Sequence, residues 1–244
     1  MKAARLWISL LLILVPLALR AAPELTSRSD DRAALVAALR HVGVVSLFGD
    51  TFHGFGVGLT RLDNFRYTTA VPDWNIDRDC EGFLQAKLKD NGYPSTLLDI
   101  RPRRADDLYG TADSDEPNFD ELRRIAAAQQ LETLIVVWRS RSSTVFDLDP
   151  GFGLFEEGVF GLRRVFPYAQ FKITIVDVNT GKRIASALGN ATEAKPNKRI
   201  PWKGQFEDFS DQQKLVIKVA IEDHVHKQLL RALGRMNVVK APAH

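Results

Sequence analysis

The sequence predicts an α/β domain with a mixed sheet of about five or six strands, flanking helices, a late β-hairpin and a C-terminal helix packed on the fold. Three observations predict it. Helix-period and strand-period segments alternate through the first half; the continuous apolar run at 133–138, TLIVVW, reads as a central strand covered on both faces; and Asn179, Thr180 and Gly181 form a tight turn between two strand-like segments. With 244 residues, 45% hydrophobic and 26% charged, the chain can bury a real core, which sets aside a disordered tail or a disulfide-stapled miniprotein.

The elements follow in order. Lys2 and Arg5 precede an apolar run over 6–19, and the small residues Ala21 and Ala22 follow it. That layout is a secretory signal peptide over residues 1–21, cut after Ala21, with an apolar run shorter than the roughly 20 residues a spanning helix needs. The expected destination is the periplasm, with secretion or anchoring by an uncleaved leader as alternatives, and no integral span after cleavage. Residues 22–29 read as a polar lead-in, 30–235 as one domain and 236–244 as a tail. Within the domain, 31–41 has helical periodicity and 42–48 is a β-branched apolar run suited to a buried strand. The glycine-rich stretch 49–58 is expected to turn the chain, with 57–62 returning as the second arm of a hairpin.

The next helix starts at Asp77, which serves as N-cap, with Asp79 and Glu81 in the first turn and Cys80, Phe83, Leu84 and Leu88 on one stripe; Asn91 and Gly92 stop it. Residues 96–100 form a short strand and 101–118 a charged loop. A capping box, Asn118 with Glu121, opens a helix that buries Leu122, Ile125 and Ala126. After the central strand and a long Phe- and Gly-rich segment, 169–178 alternates, turns, and pairs with 183–188. Ser210 and Gln213 cap the last helix, 211–233. On it Leu215, Val219, Leu229, Leu230 and Leu233 share one face and Ile217, Ile221, Val225 and Ala232 a neighbouring one, so a wide apolar surface is expected to dock on the fold.

Composition excludes several functions. Removing Lys2, Arg5 and Arg20 with the leader takes the 33 basic residues to 30, against 30 acidic ones, so the mature chain has no electrostatic footprint for nucleic acid. Cys80 stands alone, which forbids an internal disulfide and any multi-cysteine metal site. On a helical stripe it reads as a buried apolar residue rather than a nucleophile.

In GDTFHG, Asp50 and His53 are the one candidate ligand or metal pair. Their spacing departs from the metallophosphatase loop, and that family's partner motifs do not follow. A turn aspartate and a loop histidine are the plainer reading. Gly54, Gly56 and Gly58 lack the following helix and lysine of a phosphate cradle, and fit places where a strand is crossed closely. His224 and His226 point about 200° apart on a helix and cannot share a metal. The acidic loops around Asp113 and Asp147 do not match a calcium loop. No catalytic residue and no cofactor is assigned.

The helix at 77–91, the strand at 96–100, the helix at 118–131, TLIVVW and the hairpin VDVNTGKRIASA together resemble the small periplasmic α/β domain of the TolB amino-terminal domain and of CsgG-like accessory proteins. VVSLFGDTF, VGLTRLDN and DWNID also resemble a family of exported bacterial proteins with no assigned activity. The resemblance implies an exported accessory module, acting through contact with another envelope protein or a second copy of itself. The alternatives are a metal-dependent hydrolase using Asp50 and His53, and a small-ligand carrier with a Phe/Gly-lined pocket.

Six aromatic residues crowd 144–168. Two outcomes are open for them: a hairpin folded over the sheet, or Phe152, Phe155 and Phe160 held partly exposed as partner-binding anchors. The buried-strand reading of 133–138 gives the first prediction. Val136→Asp should abolish folding by burying an unpaired carboxylate, and Lys227→Ala should leave the melting temperature unchanged; equal melting temperatures for the two variants would refute the assignment.

Overall fold

In the computed structural model, residues 35, 37, 39–57, 64–101, 105–109, 116–141, 148–159, 162–189 and 196–239 are described. The leader and most of the helix expected at 31–41 lie outside them. The strands are β1 (Val42–Leu47), β2 (Thr51–Val57), β3 (Phe65–Ala70), β4 (Ser95–Leu97), β5 (Thr133–Arg139), β6 (Gly151–Val159), β7 (Leu162–Asp177) and β8 (Arg183–Gly189). The helices are α1 (Ile76–Asp90), α2 (Phe119–Ala128) and α3 (Asp211–Arg235). All eight strands belong to one mixed sheet, so the α/β class holds while the strand number exceeds the five or six expected.

The excess has a geometric cause. β1 pairs in parallel with β5, and β2 in parallel with β6; β5 and β6 both run antiparallel to β7. On opposite flanks of β7, β5 and β6 would separate β1 from β2 by four strand spacings, about 19 Å. The link at 48–50 spans at most about 14 Å. β5 and β6 therefore lie end to end along one flank of the 16-residue β7, and β1 and β2 form a second run, bent at 48–50. With β8 on the other flank of β7, and β3 and β4 beyond the second run, eight strands fill five positions.

Pro167 fits inside β7 for a related reason. The Val165 carbonyl accepts from the Asn197 N–H, so that residue's polar groups turn away from β6. Two residues on, Pro167 turns its nitrogen to the same flank, and the ring costs no ladder bond.

The bend corrects two expectations. Residues 51–57 are themselves a strand whose antiparallel partner is 65–70, so the hairpin does not return at 57–62. Gly54 and Gly56 lie under the rings of Tyr67 and Phe65, which a Cβ would strike. Asp77 is not the N-cap of α1; Asn75 is, in a left-handed conformation. The Asp77 carboxylate reaches into the bend instead, accepting from Ser46 Oγ (2.6 Å) and from the Phe48 and Gly49 N–H groups (2.7 and 3.0 Å).

Side chains alternate between two cores. Val44, Ile135, Val137, Phe171, Ile173 and Ile175 face α1 and α3, whereas Val45, Leu47, Leu134, Val136 and Trp138 face α2. α3 has the full Ser210–Gln213 capping box; at α2 only Asn118 caps, because Glu121 pairs with Arg124. α3 docks through Ile217, Ile221, Val225, Leu229 and Leu233, but Leu215 and Val219, expected on the docked surface, are exposed.

Two buried groups give opposed pH dependences. Burial lifts the Asp77 carboxyl to about 7, against its three donors and helped by nearby Glu81. Because its folded pKa exceeds the ordinary 3.8, its stabilisation is full below that value and is lost as the pH rises to 7. Burial lowers His224 to about 4, so the unfolded chain protonates first and stability falls as the pH drops from 6.5 to 4. Over that window the two effects oppose each other, so the unaltered protein should change its urea midpoint little, while His224→Leu, left with the Asp77 effect alone, should become more stable as the pH falls; parallel pH slopes for the two would contradict a buried neutral His224.

Candidate functional site

The bend in the β1–β2 run and the break between β5 and β6 lie side by side and make a seam across the sheet. Strand ends there leave backbone groups outside the ladders, and side chains from both faces take them up. Asp77 serves the α1 side. On the α2 side the Tyr109 hydroxyl donates to the Leu47 carbonyl (2.7 Å) and accepts from the Arg139 N–H (3.1 Å). The Arg139 guanidinium lies over the Tyr109 ring and pairs with Asp106 at 2.9 Å.

Beyond the seam, on the same face, His53 of β2, Gly153 of β6 and Tyr168 of β7 stand in one row. Gly153 is obligatory there: a Cβ would run into the His53 carbonyl and come within 3.0 Å of the Tyr168 ring. Gly151, at φ +108°, passes beneath the His53 ring, its Cβ position 3.7 Å from Nε2. Asp149 lies 3.9 Å from His53 Nδ1 and is held by Arg66 at 3.1 Å, and Arg66 covers the Phe55 ring. A small apolar cluster, Phe55, Leu148, Phe155 and Tyr168, backs the row, and no helix residue belongs to it.

Burial lowers the His53 pKa, Asp149 opposes the fall, and Arg139 and Arg66 add to it, so His53 is neutral at physiological pH. Burial pushes the Tyr168 hydroxyl well above its ordinary value, so it stays protonated. Two ion pairs, Asp106 with Arg139 and Asp149 with Arg66, flank the neutral His53. Such an array orients neutral donors and acceptors without a strong net charge.

The carboxylate that the fold brings to His53 is Asp149, not Asp50; Asp50 sits in the bend, where its carbonyl accepts from the Val71 N–H. Among the described residues no group of three His, Cys, Asp or Glu could hold a metal ion. Phe152 is fully buried against Phe48 and Trp74, and Phe155 is buried against Phe166. Neither ring is an exposed anchor, because β6 carries both into the sheet; Phe160 lies outside the described residues. His224 points into the core, and His226 stacks on Phe83 at 4.0 Å and meets Asp79 at 2.7 Å, which ties α3 to α1. Cys80 is buried beneath the bend with its thiol pushed up by burial, so it is no nucleophile.

Asp149, Arg66, Tyr168 and Arg139 escaped notice in the sequence because each comes from a different strand or strand end. The legible signal was glycine at every second position, 151 and 153 as well as 54 and 56, marking where side chains of the next strand cross. Gly153→Ala should cost about 3 kcal/mol or fail to fold. Gly82→Ala, in α1 with nothing within 4 Å of a new Cβ, should gain roughly 0.5–1 kcal/mol from helix propensity. Urea midpoints decide both, and a neutral Gly153→Ala would refute the close crossing.

Among known proteins, no family model and no curated protein matches the chain. Among solved structures, a Xanthomonas campestris protein of the DUF330 family is similar at 11% identity, covering 80% of this chain and 84% of its own, with a TM-score of 0.36. A PelC dodecamer from Paraburkholderia phytofirmans is similar at 11% identity, 82% and 89% coverage and a TM-score of 0.29. A dodecamer of a PelC variant from the same organism gives 12%, 76%, 84% and 0.29.

Proposed function

We propose that the protein is exported to the periplasm and acts there as a non-catalytic accessory module that binds another envelope protein through α3. The leader pattern of residues 1–21 supports the location. The observation that carries the binding reading is the outer stripe of α3. Leu215 and Val219, one helical turn apart, are 53% and 55% exposed, more than any other large hydrophobic side chain among the described residues.

The same stripe continues into Asp223 and Lys227, which form an exposed ion pair, so its apolar half is a local feature of the first two turns. The opposite side of α3 already docks on the sheet, and these two side chains therefore add nothing to the core. Burying both against a partner is worth about 3–5 kcal/mol before association costs. The complementary partner surface is apolar, with charged groups at one end to meet Asp223 and Lys227.

A photo-cross-linking residue at position 219 tests this in the native envelope. The expected result is one adduct containing a second envelope protein, lost when Leu215→Glu is added without a change in melting temperature. Adducts of the protein with itself alone would replace the partner by a second copy. Retention of full-length protein in the cytoplasm would overturn the location, and a clear drop in melting temperature would assign Leu215 to the core.

A further inference from the structure

We propose that His53 and Tyr168, standing over Gly151 and Gly153, form a subsite for an alcohol hydroxyl of a small uncharged ligand. Two buried polar atoms of this row, His53 Nδ1 and the Tyr168 hydroxyl, have no hydrogen-bond partner, and Asp149 and Arg66 act electrostatically on both residues. The 3.9 Å from Nδ1 to Asp149 is too long for a hydrogen bond. Leaving a buried donor or acceptor unpaired forfeits its hydration with nothing in return, and native proteins pair most such groups.

The surroundings select the ligand. Asp149 at the rim disfavours an anion, and Arg66 and Arg139 disfavour a cation. Inside, the phenol keeps its proton and offers a donor, and the neutral imidazole in its Nε2-protonated tautomer would offer an acceptor at Nδ1. One alcohol hydroxyl can satisfy a donor and an acceptor together, accepting from Tyr168 while donating to His53. Entry is from the rim, where the side chains of Asp149 and Arg66 are 29% and 39% exposed, whereas Tyr168 at the base is closed to solvent.

Glycerol is a suitable probe, followed through the ring signals of His53 by NMR. Saturable shifts are expected for the unaltered protein, with binding weakened at least tenfold in Tyr168→Phe, which keeps the ring and removes only the hydroxyl. Asp149→Asn provides a second variant with the buried row intact, and it should keep the saturable response. Shifts that rise linearly without saturation show a solvent effect only and overturn the proposal, as does an identical titration in Tyr168→Phe. A Tyr168→Phe protein more stable than the parent and a parent blind to glycerol would identify the phenol as merely unpaired.

Discussion

The carboxylate of Asp77 holds the bend on which the sheet depends. A run that changes from β1 to β2 within three residues must break its ladder, and the Phe48 and Gly49 N–H groups would otherwise be buried unpaired. By accepting from both, and from the Ser46 hydroxyl, Asp77 fixes the direction in which β2 leaves and ties α1 to the sheet in the same contact. Glu81, one turn along α1, accepts from the Ser46 N–H and extends the attachment. β7 completes the constraint from the other side. Its 16 residues cross the seam unbroken, so the two halves cannot slide relative to each other.

The two faces of this sheet are covered differently, and the ligand subsite is proposed on the face with less helix cover among the described residues. α1 and α3 close one face with a core that includes Phe48, Phe52, Phe152 and Phe171. Among the described residues, α2 covers the other face above β1 and β5, while the row containing His53 and Tyr168 is backed by Phe55, Leu148 and Phe155 with no helix residue in that cluster. A polar group buried beneath a helix would have little access to solvent. Beside Asp149 and Arg66, which are part-exposed, it can be both shielded and reachable. α3 shows a related economy. One side of the helix is spent on the core, and its first two turns carry a second apolar stripe for which the sheet has no room.

By itself, the sequence determined the local elements: the α/β class, the strand at 133–138, the turn at 179–181 and the cap of the last helix at Ser210. Periodicity and capping act over a few residues, and each of these follows from side chains close together in the chain. The same locality misled at Asp77, which has the chemistry of an N-cap but spends its carboxylate on the bend, 29 residues away at Phe48. At Phe152 and Phe155 it left a hairpin over the sheet and exposed anchors both open, and strand pairing decided for burial. What only tertiary structure decided was which surfaces meet. Whether Leu215 is core or contact, and whether His53 faces Asp50 or Asp149, depends on where strands distant in sequence lie relative to the bend, and a pattern read along one chain segment holds no information about its neighbours across the sheet.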